Sequence, residues 1–115
     1  MITEINGYEY EIKPEADLKY ANLEHANLKG VNLEGANLHC ALLYHTDLEN
    51  ANLKNAELKG ANFSHCNLKN ANLEGANIEL NNFFRANLTG TILETSFWNT
   101  PDTQSYWETK EMQNL

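Results

Sequence analysis

Leucine, or a residue able to stand in for it, returns at every fifth position from Leu18 to Leu93. Sixteen units run without an insertion, from Ala16-Asp17-Leu18-Lys19-Tyr20 to Thr91-Ile92-Leu93-Glu94-Thr95. The central residue is Leu in thirteen units, Phe at Phe63 and Phe83, and Ile at Ile78. Two residues earlier stands a small residue, usually Ala, and between them stands Asn or Asp in most units. A helix would smear these leucines around its surface, because five steps of about 100° advance each by about 140°. A flat strand would send alternate leucines to opposite faces. All of them can point inward only if the chain turns after every unit. Gly30, Gly35, Gly60, Gly75 and Gly90, each at a unit end, suit that turning.

The flanks differ from the repeats. Ile2–Ile5 and Tyr8–Ile12 are β-prone runs around Asn6-Gly7, a strong signal for a two-residue hairpin, and Pro14 ends the pairing. Residues 1–15 are thus expected to cap the first repeat, 16–95 to form the repeat body and 96–115 a second cap, all within one domain over 1–115. Thr100-Pro101-Asp102 reads as a helix start, with a helix over roughly 101–113 folding Trp98, Tyr106 and Trp107 over the last repeats.

The units resemble the A-(D/N)-L-x-x motif of the pentapeptide repeat family, over about 80 of the 115 residues. The resemblance implies an all-β fold: a right-handed quadrilateral β-helix of four coils, with the central and small residues inside and the other three outside. It also implies that the C-terminal aromatics Trp98, Tyr106 and Trp107 could meet a second copy, giving a homodimer. A cyanobacterial or other bacterial source fits the family.

With four units to a coil, residues twenty apart share a column. The columns then contain His25, His45, His65, Arg85; Lys29, Glu49, Lys69; and Glu34, Lys54, Glu74. Opposite charges on successive rungs, about 4.8 Å apart, make favourable pairs.

Net charge is −8, yet residues 16–95 carry nine acidic and six basic side chains. This weighs against the DNA-mimicking role of family members that bind DNA gyrase, which needs a mainly acidic face. That role is kept as an alternative; a nucleic-acid or membrane partner is not expected. With no signal-like or membrane-spanning run, the expected location is the cytoplasm. Cys40 is expected outside and Cys66 inside, with no bridge between them.

No catalytic constellation, phosphate-cradling loop or cofactor motif stands out, so the expectation is a non-enzymatic scaffold without cofactor. The sharpest local feature is the His25, His45, His65 column. It reads either as a metal or anion site or as a solvated outward ladder. Leu42, in place of the usual Asn, and Tyr44 and Phe84 lie on the same edge with His45, His65 and Arg85. That edge reads either as a surface for a protein partner or self-association, or as scattered surface apolars. Cys40, Leu80 and Tyr20 lie on the neighbouring edge. Asn81 sits at an interior position, where its amide needs hydrogen-bond partners.

Overall fold

The computed structural model describes residues 2–94. The chain opens with an antiparallel hairpin, β1 (Ile2–Ile5) and β2 (Tyr8–Glu11), in the register Ile2↔Glu11 to Ile5↔Tyr8. Asn6 (φ 52°) and Gly7 (φ 86°) form its turn. Two successive positive φ values are what a type I′ turn requires and what Asn-Gly supplies without strain. The hairpin closes one end of the repeat body. Ile5 is buried and Tyr10 and Ile12 pack against the core. Asn6 Nδ2 donates to the carbonyl of Glu24 at 2.9 Å, and the Asn22 amide donates to Tyr10 Oη at 3.0 Å.

From Asp17 onward the units stack as parallel single-residue bridges, each joining a residue to the one twenty positions on: Asp17↔Asn37, Asn22↔Leu42, and so on to Asn67↔Asn87. Twenty residues therefore make one turn of a β-helix. Among the described residues there is no helix. The expected helix over 101–113 and the aromatics Trp98, Tyr106 and Trp107 lie outside the described residues.

The unit Ala51–Asn55 shows why the five-residue word has its spelling. Every amide proton has a destination, as buried or half-buried backbone demands. The Ala51 amide donates to Leu48 O at 3.0 Å across the turn, Asn52 to Val31 O of the preceding coil at 2.9 Å, and Leu53 to Asn72 O of the next at 2.8 Å. The Lys54 amide donates to the side chain of Asn52 at 3.0 Å, and Asn55 to Glu74 O at 2.8 Å. The Asn or Asp before the leucine is thus the acceptor for an amide that no neighbouring coil reaches. The same bond recurs at Asp17, Asn22, Asn27, Asn32, Asn37, Asp47, Asn62, Asn67, Asn72, Asn77, Asn82 and Asn87, and Glu57 makes it through its longer arm at 2.9 Å.

The last residue of each unit from Tyr20 to Gly90 has a positive φ, between 55° at Cys40 and 80° at Gly90. It is the third residue of a turn closed by a carbonyl-to-amide bond three residues apart, where a type II turn requires the left-handed region. At Gly35, Gly60, Gly75 and Gly90 the residue twenty positions back leans into the gap. A Cβ on Gly75 would stand 2.1 Å from Asn55 Oδ1, and one on Gly90 would stand 1.9 Å from Asn70 Oδ1.

The core is a narrow column of central residues, with Leu23, Leu33, Leu38, Leu43, Leu53, Leu58, Phe63, Leu68 and Leu88 fully shielded. Phe63 and Phe83 stack inside it at 5.3 Å and 13°. The expectation that every central and small residue is interior needs correcting at four places. Ala26, Val31, Ala76 and Ile78 are only partly buried. Ile78 belongs to the last coil, and the rung above it would be residue 98, outside the described residues.

Polar residues inside the column follow one rule. The central carbonyl already accepts the turn amide and has a lone pair left. Thr46 Oγ1 donates to Leu23 O at 2.6 Å, and Asn81 Nδ2 donates to Leu58 O, the same step of twenty-three residues back. Asn81 Oδ1 is buried without a partner among the described residues.

Candidate functional site

Four successive turn positions build the stripe singled out by sequence. His25 (φ 62°), His45 (58°), His65 (59°) and Arg85 (57°) share the left-handed conformation, which aims their side chains outward along one line. The His25 and His45 rings stack at 5.2 Å and 10°, and His45 and His65 at 4.7 Å and 17°.

The residues before them complete the stripe. In that column stand Glu24, Tyr44, Ser64 and Phe84, so a small buried Ser64 separates two aromatic rungs. Tyr44 leans across its turn and sets its ring edge-on to three imidazoles: His25 at 5.9 Å, His45 at 4.3 Å and His65 at 5.3 Å. Phe84 does the same to His65 at 5.8 Å, and the Arg85 guanidinium carbon lies 5.1 Å from the centre of the Phe84 ring. Such edge-to-face and cation–π contacts are worth about 0.5–1.5 kcal/mol each. The stripe is therefore an interlocked set of rings, tied sideways through Tyr44 and Phe84.

Leu42 marks the same edge from the backbone side. It is 40% exposed and occupies the place where other units keep the acceptor for the amide two residues on. The Tyr44 amide accordingly lacks the side-chain bond that its counterparts make. The substitution was legible in the sequence, but the lost bond was not, because the job of the usual Asn becomes visible only with the backbone in place.

The geometry bears on the metal reading directly. Imidazole lone pairs lie in the ring plane, so rings stacked nearly parallel aim them side by side and give a single ion no common point. No group of three or more His, Cys, Asp or Glu able to hold a metal ion occurs among the described residues. The charge ladders also need correction. Lys29–Glu49 closes at 3.1 Å, but Glu49–Lys69, Glu34–Lys54 and Lys54–Glu74 form no ion pair among the described residues, whereas Lys59–Glu79 does, at 3.8 Å. Exposed pairs of this kind contribute about 0–1 kcal/mol, so little holds long side chains in every rung.

The cysteines stand apart as expected. Cys66 is buried, and burial, with a lesser push from the Asp47 carboxylate, moves its thiol well above the ordinary range. Cys40 is half-buried, its Sγ 3.5 Å from His39 Nε2. No helix among the described residues is long and apolar enough to cross a membrane.

The family model for pentapeptide repeats matches residues 16–55 and 56–96, in eight copies. Among solved structures, the chain is similar to HetL, a pentapeptide repeat protein involved in heterocyst differentiation regulation from the cyanobacterium Nostoc sp. strain PCC 7120. The two are 38% identical over 68% of this chain and 36% of HetL, with a TM-score of 0.65. It is also similar to alr5209, a pentapeptide repeat protein of the same cyanobacterium, at 37% identity over 65% of this chain and 62% of the other, TM-score 0.64. The chain thus matches about a third of one relative's length and under two thirds of the other's. No curated protein matches it significantly.

Proposed function

The chain belongs to the pentapeptide repeat family, and from that premise we propose that it is a non-enzymatic scaffold presenting the stripe of Leu42, Tyr44, His45, His65, Phe84 and Arg85, with His25, to a protein partner. In this reading residues 16–95 form four coils of a right-handed quadrilateral β-helix, capped by 1–15 and 96–115 within one cytoplasmic domain. The observation that carries it is the Tyr44 ring, within 5.9 Å of three imidazoles. A rigid, ring-rich strip with a cation at one end has the composition that protein interfaces concentrate at their centres. No catalytic family is indicated by the repeats. A regulatory setting, in the sense that HetL is involved in heterocyst differentiation regulation, suits a protein whose chemistry lies in presenting a surface.

The two alternative readings fit the geometry less well, although the net charge of −8 favours the first. A gyrase-binding DNA mimic needs an unbroken acidic face, whereas the ring stripe carries Arg85 and Lys29 and Lys59 pair with the acids above them. A metal or anion site on the histidines needs convergent donors, and the rings run parallel.

The test is affinity capture with the wild type, Tyr44→Glu/Phe84→Glu, and a control of equal charge change on another column, Lys54→Glu. Thermal melts first establish that all three fold. The expected result is a partner held by wild type and control and lost by the stripe variant; a partner held equally by all three would overturn the assignment.

A further inference from the structure

The column beside the ring stripe contains Tyr20, Cys40, Gly60 and Leu80, at φ 62°, 55°, 74° and 58°. This left-handed conformation favours glycine and asparagine over bulky side chains. Yet Tyr20 is 65% and Leu80 76% exposed, among the most exposed large apolar residues of the described chain. Neither the backbone nor the core accounts for them. The middle of the column is low: Gly60 has no side chain, and Cys40 Sγ leans toward it, 2.9 Å from where a Cβ on Gly60 would stand. The column is bulky at both ends and flat between.

We propose that this edge is a self-association surface on which two copies pair antiparallel, about a two-fold axis between the Cys40 and Gly60 rungs. That axis sets Tyr20 of one copy beside Leu80 of the other at both ends, with room over Cys40 and Gly60 for the side chains to lean together. The adjoining column, Lys19, His39, Lys59 and Glu79, fixes the register. The same axis faces Lys19 with Glu79 of the second copy, twice per dimer. Lys19 makes no ion pair among the described residues, and Glu79 is 69% exposed despite its long contact with Lys59. Within one chain Lys19 and Glu79 stand three rungs apart, about 14 Å at the spacing of β-strands, so they cannot satisfy each other. Sliding the copies by one rung opposes Lys19 to Lys59 in one direction and Lys59 to itself in the other, so charge selects one antiparallel register.

The edge is only about 20 Å tall, so the contact falls in the small, transient class of interface and weak association is expected. The proposal is independent of the partner reading of the ring stripe.

The test is sedimentation velocity on the full chain across roughly 10 µM to 1 mM, the range over which a weak interface of this size responds. Wild type is expected to pass from monomer to dimer. Leu80→Asn, which suits the left-handed backbone, is expected to weaken the dimer at least tenfold while melting at or above the wild-type temperature, which separates lost pairing from lost folding. Lys19→Glu is expected to weaken it as well, and Lys19→Glu combined with Glu79→Lys to restore it. A short bis-maleimide is expected to join Cys40 to Cys40 between copies, in wild type but not in Leu80→Asn. A chain monomeric throughout, a dimer indifferent to Leu80→Asn, or a double reversal that fails to restore pairing would each overturn the proposal.

Discussion

Two columns of turn residues hang on the same backbone and answer it differently. Gly30, Asn50, Asn70 and Gly90 hold φ between 60° and 80°; His25, His45, His65 and Arg85 hold it between 57° and 62°. The first column uses residues that tolerate the left-handed region, and Asn70 fills the space that Gly90 leaves. The second uses large side chains. Histidine visits this region more readily than most residues, but arginine does not. What the second column gains is ring contact, from His25 through to Phe84. The backbone thus sets one demand per unit, and a surface column can meet it by conformational preference or by contacts among its own side chains.

That contrast holds only if the interior, common to both columns, determines the fold. Phe63→Ala is therefore expected to have the largest effect. It removes a fully shielded ring stacked on Phe83, and should lower stability by about 3–5 kcal/mol. Urea denaturation would register this, with both columns lost in one transition. Next comes the backbone demand itself. Gly75→Ala, at φ 71° and with Asn55 Oδ1 in the way, should cost about 1–2 kcal/mol. His45→Ala leaves the backbone demand unchanged and removes ring contacts instead, so its loss should fall when Tyr44→Ala has already been made, whereas that of Gly75→Ala should not. The same response at both positions would erase the distinction between the columns.

Leu42→Asn should act in the opposite direction. Restoring an acceptor for the Tyr44 amide should add about 0.5–1.5 kcal/mol, raising the melting temperature by about 4–8 °C per kcal/mol. The same substitution should weaken partner capture if Leu42 belongs to the contact face.

Much of this architecture is legible in the five-residue period. The frame leaves leucine no alternative but to face inward, and Asn6-Gly7 announces the hairpin. The twenty-residue columns foretell that His25, His45 and His65 stack. Three things were not legible. The sequence cannot show that the Asn or Asp of each unit accepts from the amide two residues on, since that bond depends on the turn conformation; Leu42 therefore reads as a hydrophobic oddity rather than a missing acceptor. It cannot show that Tyr44 leans toward its neighbours, because side-chain direction at a turn is set by the rungs on either side, here by small Ser64 above. And it overstates the charge ladders: spacing puts Glu34, Lys54 and Glu74 on successive rungs, but water competes for flexible exposed side chains on equal terms.

The pairing of each residue with the one twenty places on has a consequence for how such a chain can change in length. Duplicating twenty residues inserts a whole storey and leaves everything above it in the same compass direction, so the imidazole line would simply grow taller. Duplicating five turns everything downstream by one side of the coil. The leucines stay inside, because every unit offers one, and the fold survives; but His65 and Arg85 no longer stand over His25 and His45. The architecture forgives such an edit, while the alignment of columns on its exterior does not.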